Sequence, residues 1–128
     1  MTSLGIAGFG GMGAYHARQL AHIPEVHVRI IVDPLVTNQE RAREFYSDNV
    51  KVAGEIDSAL DEKVDGWIVS SATATHIPIT RAILENGSRV LLEKPIAKSR
   101  AEATSIAHLV RKDSSNLMLG HTLLWHPV

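Results

Sequence analysis

A glycine-rich string near the beginning of the chain has the spacing of a phosphate-binding turn. It reads Gly8-Phe9-Gly10-Gly11-Met12-Gly13, the pattern G-x-G-x-x-G, and it lies between a short apolar run and a segment of helical character. In such a turn the first glycine permits the tight bend, the second lets the backbone approach a pyrophosphate, and the third lets helix and strand pack closely. The free N–H groups at the start of the helix would face the phosphates. The predicted cofactor-binding residues of this turn are Gly8, Gly10, Gly11, Met12 and Gly13.

An aspartate after the second apolar run is suited to bind a ribose. Asp33 lies twenty residues after Gly13 and directly follows the β-branched run 26–32. Its carboxylate can accept hydrogen bonds from the adenosine ribose hydroxyls and would repel a 2′-phosphate, which favours NAD over NADP. Arg41 or Arg43 could reach inward from the next helix, so NADP stays possible. The alternative is that the glycines serve only a tight turn and that Asp33 only caps a loop.

Two further polar clusters follow apolar runs. Residues 70–76 read Ser-Ser-Ala-Thr-Ala-Thr-His, and Glu93-Lys94-Pro95 follows the run 90–92. Ligands of an open α/β sheet bind beyond the carboxyl ends of its strands. There Lys94 could polarise a substrate hydroxyl or carbonyl, or carry its proton. The alternative is a simple surface ion pair of Lys94 with Glu93. Pro95 would fix the loop, and its peptide bond is a candidate for the cis form.

The elements that must position these residues alternate between short apolar runs and longer amphipathic ones. Predicted strands cover residues 4–7, 26–32, 51–53, 64–70, 89–92 and 116–119, and predicted helices cover 12–22, 38–46, 56–60, 75–86 and 100–112. The expected helix signals are an N-cap at Thr37, Pro78 in a first turn, a C-terminal Gly87, and a capping box of Ser99 with Glu102. This alternation predicts an α/β fold of three α/β/α layers, with a doubly wound parallel sheet of the Rossmann type.

Composition excludes several other classes of protein. The 128 residues suffice for about one domain, and the formal net charge is -1. With balanced charge and 5% aromatic residues, we expect neither nucleic-acid nor membrane binding. The absence of cysteine excludes disulfides and thiolate chemistry, and the histidines match no metal-ligand spacing, so no metal site is predicted. The N-terminus does not read as a secretion signal, and the expected location is the cytoplasm.

Taken together, these motifs resemble the Gfo/Idh/MocA family of oxidoreductases over essentially the whole chain. The resemblance rests on the glycine turn, Asp33, Ala72-Thr73-x-Thr75-His76, Glu93-Lys94-Pro95 and a closing Gly120-His121. Glu93-Lys94-Pro95 at the fifth strand is its most specific part. Ala74 stands where proline is common in the family, and the last residues depart from its Arg-Phe-Asn-Pro pattern with Leu124, Trp125 and His126 before Pro127.

The resemblance implies roles for individual residues. Lys94 would be catalytic and contact the reacting hydroxyl of the substrate, while Glu93 would help to seat the nicotinamide. His16 matches a frequent family position, although an exposed helical histidine is an equally good interpretation. The cofactor cleft would be lined in this region by Ala72, Thr73, Thr75, His76, Glu93, Lys94 and Pro95.

The resemblance also implies a division of the protein. Residues 1–120 would form the dinucleotide-binding domain, and residues 121–128 would begin a connector to a C-terminal substrate domain that the chain lacks. The full-length protein, expected to be a homo-oligomer, would transfer hydride between NAD and a sugar, polyol or related hydroxy compound, and the 128-residue chain alone would be inactive.

Two other interpretations compete with this one. The first is a stand-alone NAD-binding sensor or regulatory module. The second is another enzyme class with a similar glycine turn, such as the dihydrodipicolinate reductases or the aspartate and homoserine dehydrogenases. Glu93-Lys94-Pro95 argues against the second.

Overall fold

The central feature of the molecule is a six-stranded parallel sheet. The structure, a computed structural model, describes residues 1–121. The strand order is β3-β2-β1-β4-β5-β6. The chain runs from β1 outward to β3 and then crosses to β4 on the other side of β1, which is the doubly wound arrangement predicted from the sequence. All five neighbouring pairs are parallel. The strands are β1 (Thr2–Ala7), β2 (Val26–Val32), β3 (Lys51–Ala53), β4 (Gly66–Val69), β5 (Arg89–Leu92) and β6 (Leu117–Leu119).

Helices cover both faces of the sheet and complete the three layers. They are α1 (Gly11–Leu20), α2 (Val36–Phe45), α3 (Thr73–Glu85), α4 (Arg100–Thr104) and a 3₁₀ helix at Ala107–Leu109. The helix predicted at 56–60 is wrong, because that segment forms successive turns. The Ser58 hydroxyl donates to the carbonyl of Glu55, a local side-chain bond that competes with helix formation.

Several predicted helix ends are also wrong. Helix α2 begins before Thr37, with Leu35 at its N-cap, and α3 begins at Thr73, so that Pro78 lies beyond its first turn. The helix after Ser99 ends at Thr104 rather than near residue 112. There the Ser105 hydroxyl donates back to the carbonyl of Glu102, and the chain tightens into 3₁₀ geometry.

The Ser99 cap itself is confirmed. Its Oγ accepts the N–H of Glu102 at 3.1 Å. The Glu102 carboxylate, however, accepts the N–H of Lys98 at 2.9 Å and not that of Ser99, so the predicted reciprocal box is displaced by one residue.

Two apolar clusters hold the layers together, one on each face of the sheet. Ile6, Ile31 and Ile68 pack under α1 and α2. Trp67 belongs to the opposite cluster beneath α3 and is 2% exposed, so it serves packing. A Cβ at Gly5 would lie 2.5 Å from the Trp67 ring, so the bare backbone of β1 makes room for the indole.

The strands end level with one another, and this brings the polar segments to one edge. The first residue after β1, β4, β5 and β6 donates its backbone N–H to the last carbonyl of the neighbouring strand, at 2.7 to 2.9 Å. Adjacent strands are about 4.8 Å apart, so these residues form a continuous row. The row consists of Gly8, Ser70, Glu93 and Gly120. No helix within residues 1–121 is long and apolar enough to cross a membrane.

Candidate functional site

The glycine turn joins β1 to α1 with very little free space. Gly8 has φ +94°, in the left-handed region that favours glycine. A Cβ at Gly13 would lie 1.9 Å from the Gly8 carbonyl oxygen, so the helix can approach the strand only without a side chain. Around Gly10, in contrast, an added Cβ would meet no atom within 4 Å. The turn is therefore tight where it packs on the strand and open where a ligand could approach.

Asp33 connects the glycine turn to the beginning of α2. It is 4% exposed, and its Oδ2 accepts the N–H of Phe9 at 2.7 Å. Its Oδ1 accepts the N–H of Leu35 at 2.9 Å, and the Asn38 amide donates to Oδ2 at 3.1 Å. The carboxylate therefore holds the turn in place in addition to facing the cavity described next.

A cavity of about 490 Å³ lies beyond the ends of β1, β2, β3 and β4. Among the sequence-predicted residues, the structure places Gly8, Gly10, Asp33, Ala72 and Thr75 in its lining. The other predicted residues do not line it: Gly11, Met12, Gly13, Thr73, His76, Glu93, Lys94 and Pro95.

Sequence reasoning missed one side of this cavity. The loop after β3 contributes Gly54, Glu55, Ile56 and Asp57, and Asn38 contributes from α2. The position of this loop could have been predicted, because a third parallel strand must end at the same edge of the sheet as its neighbours.

The charges around the cavity bear on the choice between NAD and NADP. The Arg41 guanidinium donates to Asn38 Oδ1 at 3.2 Å, and neither it nor Arg43 lines the cavity. Glu55 and Asp57 add two carboxylates to the lining beside Asp33. A 2′-phosphate would therefore face negative charge without a lining arginine, which disfavours NADP.

A second cluster lies at the end of β5, centred on a buried carboxylate. Glu93 is 6% exposed, and its Oε1 is 2.7 Å from His16 Nε2. Lys94 is exposed, and the salt bridges formed within residues 1–121 do not include a Lys94–Glu93 pair. The surface ion pair considered from the sequence is therefore wrong, because Glu93 turns inward to α1 while Lys94 turns outward. The Lys94–Pro95 peptide bond is cis.

His76 joins the two polar loops. It is 2% exposed, with Nδ1 2.7 Å from the Pro95 carbonyl oxygen and Nε2 2.8 Å from that of Ser71. Thr75, one residue earlier, donates its hydroxyl to the Ala72 carbonyl at 2.7 Å. Thr73 is the first residue of α3. Within residues 1–121 no three His, Cys, Asp or Glu side chains are grouped to hold a metal ion.

The sequence of this chain matches a family model and several characterised relatives. Residues 2–121 match the family model GFO_IDH_MocA, described as an oxidoreductase family with an NAD-binding Rossmann fold. Inositol 2-dehydrogenase 1 of Saccharopolyspora erythraea is 32% identical over 130 residues, covering 97% of this chain and 38% of that protein. The rhizopine catabolism protein MocA of Rhizobium meliloti is 26% identical over 118 residues, covering 92% of this chain and 37% of that protein.

A solved structure agrees with the sequence relatives. GenD2 from gentamicin A biosynthesis, in complex with NAD, superimposes with a TM-score of 0.87 and 28% identity, over 98% of this chain and 36% of that one. The chain thus spans little more than a third of the length of its relatives. It belongs to the Gfo/Idh/MocA family of oxidoreductases, within the NAD-binding Rossmann domain of that family.

Proposed function

We propose that this chain is the cofactor-binding part of an NAD-dependent oxidoreductase that transfers hydride between nicotinamide and a CH–OH carbon of a sugar, a polyol or a related hydroxy compound. The observation that carries the proposal is the common edge. The glycine turn, Asp33 and Glu93 all follow strand ends at one edge of the sheet, and the glycine turn and Asp33 line a cavity of about 490 Å³ there. An extended dinucleotide needs contacts of this kind along one edge of a parallel sheet.

The adenosine half of NAD fits the cavity side of the site. The open space at Gly10 and the N-terminus of α1 would receive the pyrophosphate, with backbone N–H groups directed at the phosphate oxygens. The Asp33 carboxylate would accept hydrogen bonds from the ribose hydroxyls. The remaining contacts on this side would come from Gly8, Gly11, Met12, Gly13, Ala72 and Thr75.

The nicotinamide half would extend towards the end of β5. Glu93, Pro95, Thr73 and His76 would border the ring, and NAD supplies the hydride chemistry when it is bound. The exposed ammonium of Lys94 would contact the reacting oxygen of the substrate and give or take its proton. Lys94 is thus the proposed catalytic residue.

The rest of the proposal concerns the longer protein. We assign residues 1–120 to the dinucleotide-binding domain and residues 121–128 to the start of a connector; residues 122–128 lie outside the described part. The coverage of relatives supports a second, substrate-binding domain, without which turnover should be very low. The name of the 32% identical relative favours a cyclic polyol as substrate. A homo-oligomer in the cytoplasm is proposed for the complete protein.

Calorimetric titration of the 128-residue protein with NAD and NADP tests the cofactor assignment. We expect NAD to bind at least about tenfold more tightly, since a 2′-phosphate would meet three carboxylates. Asp33→Asn should narrow that preference, because it removes one of these charges, while Asp61→Asn at an exposed site should leave it unchanged. Folded protein that binds neither nucleotide would refute the proposal.

A further inference from the structure

The buried carboxylate of Glu93 is confined on several sides. His16 Nε2 lies 2.7 Å from Oε1, and the backbone N–H of Lys94 makes a long contact of 3.3 Å with Oε2. On another side a Cβ at Gly120 would lie 3.0 Å from Oε2, so any larger residue there would require the carboxylate to shift by a few tenths of an ångström. A carboxylate can only accept hydrogen bonds, so His16 must donate through Nε2.

His16 reaches this carboxylate from a distant part of the sequence. It is separated from Glu93 by 77 residues and lies on α1, the helix whose N-terminus would face the phosphates. Its side chain is only 18% exposed. The contact therefore links the helix at the phosphate end of the site to the residue that directly precedes Lys94.

The hydrogen bond from His16 fixes the position of the Glu93 carboxylate. A buried carboxylate that loses its best donor is penalised by desolvation and turns towards water if the backbone allows it. The only other donor to the Glu93 carboxylate described in residues 1–121 is the 3.3 Å backbone contact, which is longer than a good hydrogen bond. Without His16, Glu93 would no longer be held facing α1.

We propose that His16 is a positioning residue, which holds the Glu93 carboxylate in place for the nicotinamide end of the cofactor. The inference rests on the proposed function, because it assumes that the nicotinamide lies beside Glu93. It does not require a substrate or the second domain. Its consequence is selective: binding of the nicotinamide moiety should depend on His16, and binding of the adenosine moiety should not.

ADP-ribose separates these two contributions, because it retains the adenosine, the pyrophosphate and the second ribose of NAD but lacks nicotinamide. We would titrate NAD and ADP-ribose into the 128-residue protein and into His16→Leu, His16→Gln and the control His22→Gln. His22 is exposed just beyond the end of α1. Far-UV circular dichroism establishes that each variant is folded.

We expect His16→Leu to weaken NAD binding about tenfold and to change ADP-ribose binding by less than about twofold. His16→Gln, which keeps an N–H donor, should recover much of the loss, and His22→Gln should match the wild type. Glu93→Gln should weaken NAD to a similar degree, and combining it with His16→Leu should add little, since both act on one contact.

Equal loss of NAD and ADP-ribose binding in the His16 variants would overturn the inference, since His16 would then serve only the structure of α1. Additive losses in the double variant would also overturn it. Wild-type protein that binds neither ligand would instead refute the proposed function itself. If His16→Leu does not fold, His16→Asn takes its place, because the shorter amide does not reach the Glu93 carboxylate; equal loss of NAD and ADP-ribose binding in that variant would again overturn the inference.

Discussion

Three glycines of the turn after β1 differ in what a side chain would meet. At Gly13 an added Cβ would lie 1.9 Å from a backbone oxygen, whereas at Gly10 it would meet nothing within 4 Å. Gly8 combines a close backbone neighbour with φ +94°. The same residue type therefore serves packing at Gly13, conformation at Gly8 and open space for a ligand at Gly10.

This difference predicts opposite results for two alanine substitutions. Gly13→Ala should lower the free energy of unfolding by about 3 kcal/mol or more, because the clash is with the backbone and cannot relax cheaply. Gly10→Ala should change it by less than about 0.5 kcal/mol. Gly10→Ala should nevertheless weaken NAD binding about tenfold or more, because its methyl group enters the space proposed for the pyrophosphate.

Urea unfolding and NAD titration of both variants provide the test. A stable Gly13→Ala protein would mean that α1 does not pack on β1 as described. Unchanged NAD affinity in Gly10→Ala would mean that the cofactor does not pass over Gly10.

Thr80 in α3 is a buried polar residue without a role in the site. It is 0% exposed, and its hydroxyl has no hydrogen-bond partner among residues 1–121. An unpaired buried hydroxyl costs about 1–3 kcal/mol. We expect Thr80→Val to raise the free energy of unfolding by about 1 kcal/mol in urea melts. A loss of stability would show that the hydroxyl has a partner, such as bound water.

Helix α3 shows how far local sequence signals determine an element. Its C-terminus was predicted correctly from Gly87, which has φ +87°. The N–H of Ser88 donates to the carbonyl of Ile83, and that of Gly87 to Leu84, which is the paired bonding of a Schellman motif. The prediction of its N-terminus was wrong, because no side chain caps this end of the helix. The helix begins at Thr73, directly after an extended Ala72.

Gly87 offers a test of the helix end that is free of packing effects. An added Cβ would meet no atom within 4 Å, so only the backbone conformation opposes a side chain. Gly87→Ala should therefore lower the free energy of unfolding by about 1 kcal/mol. Gly87→Asn should lower it less, because asparagine tolerates the left-handed region better. Equal stability of all three proteins in thermal melts would contradict this geometry.

Strands were easier to predict than helices. The bounds of β2, β3 and β5 match the predicted strands, because each of these segments ends where glycine or a charged residue begins. The position of the polar residues at the strand ends could therefore be predicted as well. The His16–Glu93 contact could not, because it joins residues 77 apart and depends on how α1 is rotated over the sheet.

At the scale of the whole molecule, hydrogen-bonded carboxylates link stability to pH. The backbone N–H and then the hydroxyl of Ser3 hold the pKa of the Asp65 carboxyl below its usual range. Hydrogen bonds from Lys51 and then Arg29 lower the pKa of Glu62 in the same way. These groups favour the folded state when ionised, so their contribution is present above the ordinary pKa of about 4 and is lost as pH falls through the folded value.

Asp65→Asn should therefore be less stable than the wild type at pH 7, and the difference should shrink as the pH falls below about 4. Asp61→Asn, at an exposed neighbouring position, serves as the control and should show no such convergence. Urea unfolding of the three proteins at several pH values measures this. A gap between Asp65→Asn and wild type that widens in acid would reverse the sign and contradict the Ser3 contacts.

The strand order has a consequence for how the chain could be divided. Only the pairing of β1 with β4 joins residues 2–53 to residues 66–119 within the sheet, yet the apolar cluster beneath α3 draws on both. Two separate polypeptides, cut after the exposed Asp61, should each be unfolded alone and should reassemble when mixed. Because the proposed NAD contacts come from both fragments, NAD should stabilise the reassembled complex. The fragments would then form a split reporter of NAD concentration.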